Sequence, residues 1–101
     1  MIRHLVMWRL EEARSDLEKQ EMIEKISGSL MALKQKIEVI RELDVKTNAP
    51  EAPVNNYDVV LDTTFDSIGD LELYQNHPEH LKVVDIVKPL VSERAAIDYE
   101  F

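Results

Sequence analysis

Along Ile2–Leu10 apolar side chains fall on both parities of the chain, with His4, Val6, Trp8 and Leu10 on one and Arg3, Leu5, Met7 and Arg9 on the other. A run this rich in β-branched and aromatic residues predicts a strand, and two apolar-centred faces predict one covered from both sides. The period then changes. Ser15 with Glu18 three residues later forms a capping box, and Met22, Ile23, Ile26, Leu30, Leu33 and Ile37 follow at helical spacing. This predicts a helix ending near Lys36, long enough to carry the roughly 1 kcal/mol propensity cost of Gly28. Residues 40–48 read as a second strand with Leu43 and Val45 on one face, its start set against an extension of the helix through Glu38-Val39-Ile40-Arg41. Residues 48–56 hold two prolines and three asparagines, a loop.

Strict alternation returns at 57–65, where Tyr57, Val59, Leu61, Thr63 and Phe65 oppose Asp58, Val60, Asp62 and Thr64. Ser67 with Asp70 caps a short helix that should break at His77, because proline disfavours helical geometry in the residue before it. Pro78 suits the first position of a new helix, on which His80 shares a stripe with Val84, Val87 and Val91. Pro89 should kink or end that helix. Residues 93–101 close the chain as a fourth strand, Ala95, Ile97, Tyr99 and Phe101 opposite Ala96, Asp98 and Glu100.

The resulting order, β-α-β-β-α-β in one domain spanning 1–101, is that of an α+β, ferredoxin-like, four-stranded antiparallel sheet with its helices on one face. Such helices leave the other face bare, yet the first and last strands are apolar there too. No remaining segment can cover it. A second copy of the chain can, which predicts a homodimeric α+β barrel.

Composition narrows the partners. The net charge of −8 argues against nucleic acid or anionic membrane as a partner, since both require a basic footprint. The chain has no cysteine, hence no disulfide framework, and a reducing cytoplasm is the expected compartment. The N-terminus reads as a strand rather than a signal peptide, and no apolar run has the length of a membrane span.

Candidate chemistry concentrates in Tyr74-Gln75-Asn76-His77-Pro78-Glu79-His80, which holds two of the three histidines. An imidazole on an apolar helical stripe, as at His80, is either a packed core group or a pocket group titrating near neutral pH. His77 reads as an N-cap forming a structural turn with Pro78. A metal set of His77, His80, His4 and Asp98 is disfavoured, because Pro78 turns His77 away from helical geometry and no cysteine adds ligands. No cofactor motif is present.

Strand one as Ile2-Arg3-His4-Leu5-Val6-Met7-Trp8-Arg9-Leu10, Tyr57-Asp58-Val59-Val60-Leu61, the Tyr-x-x-His-Pro-x-His run at 74–80 and Asp98-Tyr99 resemble the stress-responsive A/B barrel family over essentially the whole chain. The chain departs from the pattern at Lys46, where glycine is usual, and in its longer loop before Tyr57. The resemblance implies a homodimer with a cavity between helices and sheet in each subunit. A plant member of that family is a polyketide cyclase closing a ring by aldol condensation, and its site residues match His4, Tyr74, His80 and Asp98.

Aldol closure requires a base to take a proton α to a carbonyl and donors to hold the resulting enolate. His80 would be the base, Tyr74 the hydroxyl donor, and His4 a second donor or shuttle, with Asp98 fixing a histidine tautomer. Val6, Trp8 and Val84 would line the ligand site, Trp8 taking up much of it and so favouring a small ligand. Two other readings stay open, a non-enzymatic stress-responsive dimer and a cofactor-independent monooxygenase on the same barrel.

Overall fold

The structure is a computed structural model describing all residues, Met1–Phe101. β1 (Ile2–Leu10) is followed by α1 (Asp16–Met31), α2 (Leu33–Lys36), β2 (Glu42–Thr47), β3 (Val59–Phe65), α3 (Ile68–Asn76), α4 (Pro78–Val87), a 3₁₀ turn (Lys88–Leu90) and β4 (Val91–Glu100). The strands form one antiparallel sheet in the order β2-β3-β1-β4. This is the ferredoxin-like arrangement, with β1 central and β4 at an edge.

Both serine caps form where the sequence places them. Ser15 Oγ accepts from the Glu18 amide and Ser67 Oγ from the Asp70 amide, each at 3.1 Å. The helix expected to run to Lys36 is instead divided at Ala32 into α1 and α2. The break keeps Ile26, Leu30 and Leu33 all inside the core. Ile37 and Ile40, both almost fully buried, anchor the turn into β2, which starts at Glu42 rather than at residue 40.

β3 begins at Val59, two residues later than alternation suggests. Tyr57 lies outside the strand beneath the Arg9 guanidinium, 4.9 Å from the ring centre, and the Asp58 carboxylate accepts from the Leu10 amide at 2.9 Å. Asp58 still donates its amide to the Trp8 carbonyl and accepts from the Asn48 amide, so these side-chain contacts add to the backbone bonds at the entry to the strand. β4 begins at Val91, two residues earlier than expected, because the 3₁₀ turn around Pro89 delivers the chain straight into the sheet. Val91 therefore opens a strand and does not extend the His80 stripe.

Register decides the faces. His4 lies opposite Thr63 and Asp98, Val6 opposite Leu61 and Ala96, and Trp8 opposite Val59 and Arg94. Ile2, His4, Val6, Trp8 and Leu10 point under the helices and are all buried. The core lies between them and Ile26, Leu30, Leu33, Phe65, Tyr74, Val83 and Val87. The opposite face carries Leu5 together with Met7, Ile97, Tyr99 and Phe101, the last four between 39 and 59% exposed. One chain leaves this apolar surface uncovered.

Candidate active site

Helix breaking at His77 sets the local geometry. His77 is extended, with φ −65° and ψ 136°, and its Nδ1 accepts from the Glu79 amide at 3.1 Å. Pro78, lacking an N–H, takes the first turn, where none is required. This cap turns α4 back across the sheet and places His80 over Tyr74, with ring centres 4.4 Å apart.

Beneath them, on β1, the His4 ring lies 6.1 Å from Tyr74 and 6.5 Å from Phe65, edge to face. His4 Nδ1 donates to the Asp98 carboxylate across the β1–β4 ladder at 2.5 Å. That bond orients the ring and leaves Nε2 free. His4, Tyr74, His80, Val6, Trp8 and Val84 all line one cavity of about 380 Å³ between α4, the 3₁₀ turn, β1 and β4. Asp98 stands behind His4 rather than in the wall. His77, committed to its cap, faces elsewhere, and no three metal-ligating side chains converge.

The two histidines are held differently. His80 Nδ1 donates to the Gln75 carbonyl at 2.9 Å, which fixes the neutral tautomer and leaves Nε2 with its lone pair. Half-burial pushes the His80 pKa below its ordinary 6.5, against the opposing effect of the Gln75 bond, and the charges of His4, Arg94 and His77 push the same way. At neutral pH His80 is therefore an unprotonated imidazole in an apolar wall, the form a general base requires.

Tyr74 lies between the two histidine rings. The residue is fully buried, and its hydroxyl has no hydrogen-bond partner. Burial raises its pKa well above 10, with Arg94 opposing. Trp8 lies in the wall at 7% exposure and leaves the cavity open rather than filling it. Val84 is 39% exposed, at the cavity rim.

Sequence reasoning passed over Arg94 and Lys88, which also line the cavity. The alternation on β4 placed Arg94 on the parity of Ala96 and Asp98, but only the register with Trp8 brings it to the mouth. Lys88 gave no signal, because its position depends on the 3₁₀ turn.

The model of the stress-responsive A/B barrel domain matches residues 2–101. None of the curated proteins matches significantly. Among solved structures the chain is similar to a dimeric protein of unknown function with a ferredoxin-like fold from Bacteroides fragilis, at 31% identity, TM-score 0.88, over 99% of this chain and 95% of that one. It is similar to a family protein with a ferredoxin-like fold from Mesorhizobium loti at 25% identity, TM-score 0.74, covering 98% and 94%. The hydroxynitrile lyase of Passiflora edulis shares the fold at 21% identity, TM-score 0.80, covering 97% and 90%. With the family model spanning both the sheet and the Tyr-x-x-His-Pro-x-His run, the chain belongs to the stress-responsive A/B barrel domain family.

Proposed function

We propose that the protein is a homodimer whose subunits each bind a small organic molecule in this cavity and perform acid/base chemistry on it. The observation that carries the reading is the buried Tyr74 hydroxyl without a partner, beside His80. A phenylalanine would fill the same space without the penalty of about 1–3 kcal/mol for an unsatisfied buried polar group. A donor kept at that cost, next to an imidazole with a free lone pair, suits a ligand oxygen.

In this reading His80 Nε2 removes a proton α to a carbonyl, and Tyr74 turns its hydroxyl to the developing enolate oxygen. His4, oriented by Asp98, serves as second donor or shuttle. The walls of Val6, Trp8 and Val84 exclude water and strengthen those interactions. Intramolecular aldol closure is the sharpest version of this chemistry. The competing reading, a dimeric barrel without catalysis, draws on the His80–Gln75 backbone bond, which a packed core histidine would also make.

Proton–deuterium exchange at the α carbon of phenylacetone, followed by NMR in D₂O, tests the proposal without presuming the natural substrate. The native protein should accelerate exchange and His80→Gln should abolish the acceleration while leaving the fold intact. Equal acceleration by both proteins would remove His80 as the base. Dimerisation rests on the bare apolar sheet face and on the dimeric Bacteroides fragilis relative.

A further inference from the structure

Five of the twelve basic residues make no ion pair, and two of those five line the cavity. Acidic residues exceed basic ones by 20 to 12. Arg3, Arg9, Lys19, Lys36, Arg41, Lys46 and Lys82 are each paired with a carboxylate. Arg14, Lys25 and Lys34 lie unpaired away from the cavity, whereas Arg94 and Lys88, also unpaired, both line it. Glu93 also reaches the rim, but its carboxylate is taken by Arg9 Nε at 3.2 Å. Asp98 is likewise held by His4. A guanidinium in a protein with a surplus of carboxylates, left without one at the mouth of a pocket, is available to a ligand.

We infer that the cavity selects a small organic acid, whose carboxylate binds Arg94 at the mouth and whose apolar body lies against Val6, Trp8 and Val84 with its far end toward His80. The inference rests on the reading of the cavity as a ligand site and adds the ligand's charge. Register supplies the polarity of the site. Arg94 pairs with Trp8 and Asp98 with His4, four residues apart, so the backbone positions of Arg94 and the His4–Asp98 pair are offset by about 13 Å along the strand at ~3.3 Å per residue. Arginine suits this role because its planar fork binds a carboxylate through two parallel bonds. Its charge also reaches both neighbours, opposing protonation of the His80 imidazole and opposing the rise that burial imposes on the Tyr74 phenol.

Phenylacetate and its neutral near-isostere phenylacetamide separate the two ideas, with Trp8, the single tryptophan, as fluorescent reporter. Phenylacetate should bind the native protein about tenfold or more tighter than the amide, the advantage expected of a charge-assisted pair. Arg94→Gln should remove that ratio and leave the amide's affinity within about twofold, while Lys88→Gln should reduce it less. Arg94 is exposed, so its replacement leaves the fold undisturbed. Equal binding of acid and amide, or an unchanged ratio in Arg94→Gln, would overturn the choice of an acid and leave the ligand site standing. Binding of neither compound would overturn both.

Discussion

Replacing Tyr74 by phenylalanine should make this protein more stable and less functional. The ring packs against Phe65 at 5.1 Å and His80 at 4.4 Å between centres, and phenylalanine preserves both contacts. Only the hydroxyl is lost, and it is buried without a partner. An unsatisfied buried hydroxyl costs about 1–3 kcal/mol, so Tyr74→Phe should gain at least about 1 kcal/mol. For a domain of this length that raises Tm by roughly 4–8 °C per kcal/mol. Urea denaturation and calorimetry, at one fixed protomer concentration because a dimer's Tm depends on it, measure the change. Exchange at phenylacetone should fall in the same variant, since the enolate loses its donor. A loss of 1 kcal/mol or more would refute the reasoning. It would mean that the hydroxyl is satisfied in solution and that Tyr74 belongs to the core alone.

Met7→Lys places a charge in the centre of the bare sheet face, 39% exposed in one chain, and should convert the dimer to a monomer by sedimentation. Retention of a dimer of about twice 11.7 kDa in that variant would place the interface elsewhere. Gly28→Ala should stabilise the protein by about 1 kcal/mol in urea denaturation, because Gly28 lies in the exposed interior of α1 and an added Cβ meets nothing within 4 Å. A destabilisation would show that the glycine is needed for the division of the helix at Ala32.

The strands, the two serine caps and the break at Pro78 were legible in the sequence because each is encoded by neighbours within a few residues. Element ends were not. The entry to β3 is held by the Asp58 carboxylate on the Leu10 amide, a partner 48 residues away. Likewise, the division at Ala32 follows from packing Leu30 and Leu33 on one sheet. The candidate site divides in the same manner. Its histidines and Tyr74 stood out as residue types in a dense run, and the parity of β1 put His4 with Val6 and Trp8. Which His80 nitrogen is free, and whether Tyr74's hydroxyl has a partner, depend on the Gln75 carbonyl and on packing from three elements. Arg94 is the clearest omission, since an arginine on an edge strand looks like surface until the strand register is known.

The pH profile of α-proton exchange tests most directly whether His80 is the base. Burial lowers the folded-state pKa of His80 below 6.5, so the unprotonated, active form should already dominate above that value. Exchange at phenylacetone should therefore rise with pH through a single ionisation below 6.5 and then stay level to neutral pH. The same group should cost stability as pH falls from 6.5 toward its folded pKa, because the unfolded imidazole then binds a proton that the buried one does not. His80→Gln should erase both the ionisation and the rate. A profile that keeps its ionisation and its plateau in His80→Gln would contradict the account.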